Sequence, residues 1–359
     1  MVGPTQGTPR GLEFVCRLAR VIPDDTPSFQ RPDPIALQSA IDAAHIHNAL
    51  GEILPALLEM GSDLPAPLRA KLATAETALA AQALIRESEL KAVLKILKVA
   101  GMDVVLLKGA FLASCVYEDF AQRPMSDFDL LLRREDLPRA AAALRQAGYQ
   151  CEDPSGRDAA PGGASHFRSP AGHAVELRCD LTQGARLRGV VDFAEAEMWE
   201  RRRTFESRAG ERILSLDPTD HLLYLAYHAG ILHLFTALVW LIDIDRFIRR
   251  FREEIAWGDL ARRARRIGCA TCLWHCLELA RQYLGTHVEA SVLQALRPER
   301  LRATIVRRWL TGRRLLRGLK HPTRIRMVMH QMILLDSTGA DLRSLWQGLL
   351  PRRRTLESD

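Results

Sequence analysis

The sequence predicts an α+β protein in which a small α/β domain is embedded between an N-terminal helical layer and a C-terminal helical domain. Three observations carry this. Short apolar, β-branched runs punctuated by glycine lie between residues 102 and 179; Ala, Leu and Ile recur at helical spacing over 35–58 and 67–100; and from Asp217 onward the pattern is helical almost to the end. Of the 359 residues, 47% are hydrophobic, enough for a sizeable core and too many for a disordered chain.

Residues 1–34, rich in Pro, Gly and Thr and closing on Arg31-Pro32-Asp33-Pro34, read as a flexible leader. Residues 35–92 form the helical layer. The α/β domain spans 93–207. Gly101 stops the helix that enters it, and 102–107 is a strand. The Lys108-Gly109 turn then opens a helix over 110–117, where unpaired backbone N–H groups attract anions. A strand at 128–132 has an acidic entry, an amphipathic helix over 137–147 stops at Gly148, and 149–152 has strand character. A polar loop over 153–164 precedes a hairpin, 165–168 with 173–179, around Ser169-Pro170-Ala171-Gly172. Asp217-Pro218-Thr219-Asp220 has the form of a helix start and opens the C-terminal helical domain, 208–350, with helices over 221–232, 236–251, 257–267 and 270–284. Residues 351–359 are a tail.

Several classes are excluded by composition. No apolar run reaches membrane-spanning length, since residues 222–244 are broken by His228, His233 and Asp243, and residues 1–10 lack the pattern of a secretory signal. Seven cysteines, an odd number without framework spacing, point to a reducing, cytoplasmic setting. Cys269, Cys272 and Cys276 share one helical stripe and read as buried apolar residues rather than metal ligands. The formal charge is +7, with eleven Lys or Arg over 297–326 against the single acid Glu299. That stretch reads first as the wet face of helices whose other face carries Ile305, Trp309, Leu315 and Leu319, and second as a platform for a phosphate-rich partner.

The chemistry concentrates in Arg123-Pro124-Met125-Ser126-Asp127-Phe128-Asp129. Side chains alternate along a strand, so Asp127 and Asp129 project together while Phe128 enters the core. Two carboxylates on one face suit a hard cation such as Mg²⁺, with Mn²⁺ the alternative, and Glu176 in Ala174-Val175-Glu176-Leu177-Arg178 is the candidate third ligand. Such a triad beside a glycine turn fits in-line displacement at phosphorus, with Glu176 able to accept the proton of an incoming hydroxyl. His228 and His233, five apart, do not share a face of an α-helix and read as packing residues; Asp243, flanked by apolar residues, reads as a buried hydrogen-bond anchor.

The run from Val104 to Gly109, Tyr117, Arg123, the Asp127-x-Asp129 pair and Glu176 resembles the uncharacterised nucleotidyltransferase family of the polymerase β superfamily. The similarity continues through His221-Leu222-Leu223, His228-Ala229, Trp240-Leu241-Ile242-Asp243 and Leu334-Leu335-Asp336-Ser337. Two positions depart from the pattern: Ala110 follows the glycine where serine is usual, and Arg178 stands where histidine is frequent. The resemblance implies a metal triad of Asp127, Asp129 and Glu176, phosphate contacts from Lys108 and Gly109, and a nucleotide pocket lined by Arg123 and Ser126. It implies transfer of a nucleoside monophosphate from a nucleoside triphosphate such as ATP to an acceptor hydroxyl, with release of pyrophosphate. The acceptor class stays open among a small molecule, a peptide, a protein and an RNA 3′ end. Two alternatives stand beside it: a toxin-type transferase acting on tRNA or other RNA, and a catalytically weak module that binds nucleotide or docks a partner.

Overall fold

Residues Asp127–Leu131 alternate acidic and apolar side chains at their start and run fully apolar at their end, which suits a strand buried in the middle of a sheet. The structure, a computed structural model, places them there. It describes residues 9–20, 34–61, 64–152, 164–183, 187–311 and 323–336. The strands are β1 (Val105–Leu106), β2 (Asp127–Leu131), β3 (Gln150–Cys151), β4 (Ala164–Arg168), β5 (Ala174–Arg178), β6 (Arg203–Glu206) and β7 (Arg212–Ser215). They form one mixed sheet in the order β3-β4-β5-β2-β1-β7-β6. At its centre β2 runs antiparallel to β1 and parallel to β5, in a register that sets Asp129 opposite Glu176.

Helices surround the sheet on the chain's two sides. Before it come α1 (Pro9–Leu18), α2 (Pro34–Ile46), α3 (Leu50–Glu59) and the long α4 (Ala66–Val99). Within it lie α5 (Lys108–Cys115), α6 (Leu137–Gln146) and α7 (Glu195–Glu200). After it follow α8 (Pro218–Tyr227), α9 (Val239–Phe251), α10 (Trp257–Ile267), α11 (Ala270–Leu284), α12 (Ala290–Leu296), α13 (Arg300–Trp309) and α14 (Arg324–Leu334). Asp217 caps α8 by accepting from the Thr219 N–H at 3.0 Å, as the Asp-Pro-Thr-Asp motif predicts. No helix among the described residues is long and apolar enough to cross a membrane.

Four expectations are corrected. The sheet runs past residue 207, because β7 pairs in parallel with β1 and β6 completes a hairpin; the alternation in Arg212-Ile213-Leu214-Ser215 is the signal that marks it. Part of the expected leader is helical, since Val15 and Cys16 give α1 a buried face that Ala19 continues just past its end. The strand expected over 102–107 shortens to Val105–Leu106, because Lys108 adopts φ +44° and the chain turns at once into α5. On α13 the packed residues are Ala303 and Val306, whereas Ile305 and Trp309 are exposed at 37% and 56%. Arginines there are partly engaged, Arg307 with Glu278 at 2.8 Å and Arg302 with Asp336 at 3.5 Å. Residues 153–163, 312–322 and 337–359 of the expected loop, basic stretch and tail lie outside the described residues.

The core behind the sheet is aromatic: Phe111 packs edge-on to Phe205 and stacks with Phe251, and the fully buried His221 lies 4.7 Å from the Phe111 ring centroid. The Nδ1 of His221 meets the Ser215 hydroxyl at 3.1 Å, while its Nε2 has no partner. Burial lowers His221 to about 3, and likewise His275 to about 4 and His330 to about 3. These groups fold neutral. Once the pH drops below their unfolded value near 6.5, the unfolded chain takes up protons that the folded one refuses, so stability is complete above that value and declines on acidification. Each group contributes a slope of about 1.4 kcal/mol per pH unit. Thermal unfolding at pH 7.5 and 5.5 should therefore show a loss of several kcal/mol; an unchanged melting temperature would contradict neutral burial of these rings.

Candidate active site

The register of β2 and β5 is what builds the site. Alternation sends Phe128 and Leu130 into the core and turns Asp127 and Asp129 to the opposite face, where Glu176 from β5 joins them. One carboxylate oxygen of each of the three lies within 4.8 Å of the others. It is the single such cluster of potential metal ligands among the described residues. Hard oxygen donors converging from two strands fit Mg²⁺ or Mn²⁺.

Two cations hold the triad together. The Lys108 ammonium donates to Asp129 Oδ1 at 2.7 Å, and Arg178 Nε donates to the same oxygen at 3.0 Å. Arg178 also pairs through Nη2 with Glu176 Oε2. Both hydrogen bonds to Asp129 fall on Oδ1. Burial alone would raise Asp129, but Lys108 and Arg178 hold its carboxyl below the usual range. Burial pushes Glu176 upward against the pull of Arg178. Three carboxylates against two cations leave the cluster one negative charge, an attractive field for a divalent cation.

The glycine turn lies beside this cluster. Leu107 N–H donates to the Asp129 carbonyl at 3.1 Å, tying the turn to β2, and α5 starts at Lys108 without a side-chain cap on its first N–H groups. A Cβ on Gly109 would meet Met125 Cβ at 3.3 Å, so the turn has little room for a larger residue. Ser126 donates to Asp127 Oδ1 at 2.7 Å and orients it.

Arg123 lines the cavity beside Ser126, and its guanidinium is held by groups of the protein itself. Its Nε and Nη2 donate to the two oxygens of Asp243 on α9 at 2.6 and 2.8 Å, and its Nη1 donates to the Pro124 carbonyl at 2.6 Å. Tyr117 adds its hydroxyl to Asp243 at 2.7 Å. Arg123 thus borders the cavity while its guanidinium is committed to a buried clamp between the glycine-turn region and α9, and Asp243 is the anchor that its apolar flanks predicted.

A cavity of about 540 Å³ opens over the triad. Its far wall departs from the α-helical geometry expected over 221–232. Residues 228–232 form a π-helical turn in which His233 N–H bonds the His228 carbonyl at 3.1 Å, and an i to i+5 register brings the two rings to the same side, 4.3 Å apart. Trp240 continues the row 4.4 Å from His233. Burial, aided by the charge of Lys108, keeps His233 neutral with a pKa of about 4. Gly230 allows the turn, because a Cβ there would stand 2.4 Å from Cys272 Sγ and 2.8 Å from Phe235 Cζ. The sequence offered the signal in that glycine, and an α-helical template hid it. Arg178, which departs from the family pattern, pairs with two of the three acids, Asp129 and Glu176.

A family model described as an uncharacterised nucleotidyltransferase matches residues 33–285, which takes in the helical layer, the whole sheet and the helices through α11. No curated protein matches the chain.

Proposed function

The chain belongs to the uncharacterised nucleotidyltransferase family, and from that premise we propose that Asp127, Asp129 and Glu176 bind Mg²⁺ and that the cavity above them transfers a nucleoside monophosphate from a nucleoside triphosphate to an acceptor hydroxyl. The single observation that carries the proposal is the convergence of the three carboxylates within 4.8 Å beside the Lys108-Gly109 turn. Bound Mg²⁺ supplies charge neutralisation at the phosphates and the attacking oxygen.

The chain's own groups would do the rest. Free N–H groups at the start of α5 receive phosphate oxygens, and Lys108 supplies positive charge next to them. Ser126 keeps Asp127 turned toward its neighbours. The acceptor oxygen bonds to the α-phosphorus, the bond from that phosphorus to the bridging oxygen of the β-phosphate breaks, and pyrophosphate leaves with the electron pair. Glu176 takes the hydroxyl proton; its raised pKa is consistent with that role. The row of His228, His233 and Trp240 offers flat, uncharged surface for a planar group of nucleotide or acceptor. All seven cysteines are unpaired, and we place the protein in the reducing cytoplasm.

Incubation with Mg²⁺ and each labelled nucleoside triphosphate tests the reading. Pyrophosphate release with label transferred to an acceptor is expected, lost on chelation and restored by Mg²⁺ or Mn²⁺. Nucleotide binding with no release from any triphosphate would instead support a binding module.

A further inference from the structure

The buried stripe of α4 runs Ala83, Leu90, Val93 and Leu97, and the position between the first two is Arg86. A charged residue on the packed face of a helix is costly unless something answers it. Here nothing among the described residues does. Arg86 makes no ion pair, its Nε is buried without a hydrogen-bond partner, and it lines the same cavity as Lys108, Asp127 and Glu176. Desolvation lowers its pKa with no neighbouring acid to offset it.

The contrast with the other cations of the cavity gives this weight. Lys108 is bonded to Asp129, Arg178 to Asp129 and Glu176, and Arg123 to Asp243. Each is neutralised by a carboxylate before any substrate enters. The reaction read above brings in a polyphosphate, the most highly charged group it handles, and Arg86 is the one cavity cation among the described residues still uncommitted.

We propose that Arg86 is a binding residue for the polyphosphate of the nucleotide, supplied to the α/β site by the N-terminal helical layer. The inference rests on the nucleotidyltransferase reading and adds to it a ligand from outside the sheet domain. A planar guanidinium with several donors is suited to two phosphate oxygens at once, which a lysine would meet only as a point charge.

Titration of the full-length protein with inorganic pyrophosphate in Mg²⁺, beside nucleoside triphosphate kinetics, tests it with Arg86→Ala and Arg86→Lys. Arg86→Ala should weaken pyrophosphate binding by about tenfold or more and raise KM for the triphosphate with a smaller change in kcat, and Arg86→Lys should recover part of the loss. Its melting temperature should not fall, because the side chain removed satisfies no buried partner. Unchanged pyrophosphate affinity with reduced turnover would move Arg86 to the acceptor and overturn the assignment, as would a variant indistinguishable from wild type or one that simply loses stability. Wild-type protein that binds neither pyrophosphate nor triphosphate would instead overturn the nucleotidyltransferase reading, and this inference with it.

Discussion

Asp127→Asn should lower nucleotide turnover by on the order of 10³-fold while leaving the melting temperature within about 1 °C of wild type. The two halves of this expectation have separate causes. Asp127 is half-buried, and its carboxylate accepts a hydrogen bond from the Ser126 hydroxyl, which asparagine's carbonyl can also accept. Folding therefore loses little. Chemistry loses much, because the substitution removes one of the three converging carboxylates and with it the cluster's surplus negative charge over Lys108 and Arg178. Asp129→Asn makes the informative contrast. That carboxylate answers both Lys108 and Arg178, whose side chains are only 9% and 6% exposed, so the variant should lose turnover and also melt several degrees earlier. Pyrophosphate release and thermal unfolding, measured on both variants, separate the roles. Turnover retained in Asp127→Asn would remove the metal assignment.

Local signals account for what the sequence made legible. Strand alternation placed Asp127 and Asp129 on one face and Phe128 in the core, and the glycine turn, the hairpin around Ser169-Pro170-Ala171-Gly172 and the helices Trp257–Ile267 and Ala270–Leu284 all lie where spacing and caps put them. What escaped was set by long-range pairing or by a register the α-helical template does not contain. β7 joins the sheet beside β1, more than a hundred residues earlier in the chain, and nothing local to Arg212–Ser215 names that partner. The π-turn aligns His228 with His233 only because one extra residue enters that turn. Arg86 sits on a buried stripe, a mismatch visible in the sequence; its meaning depends on which acids lie nearby, and that is a property of the fold alone. Arg123 follows the same rule, since its partner is a carboxylate on α9.

Asp243→Ala should destabilise the protein by about 3–5 kcal/mol, the range for breaking a buried pair from one side, and lower its melting temperature by roughly 5 °C. The Arg123 side chain is 10% exposed and that of Asp243 4%, and the pair is bidentate. Removing the carboxylate strands a guanidinium in a dry environment and takes the acceptor from the Tyr117 hydroxyl, which is buried as well. The loss should exceed that in Arg123→Met with Asp243→Leu, where no uncompensated charge remains, so the double variant should melt above Asp243→Ala. Turnover discriminates further. Arg123 Nη1 lies 3.8 Å from where a Cβ on Gly109 would stand, so the clamp ties the glycine turn to the helix that carries Trp240. If the clamp serves to hold those two walls of the cavity, the double variant will regain stability without regaining turnover, its KM for the triphosphate remaining raised. Recovery of both together would reduce Arg123 and Asp243 to packing alone.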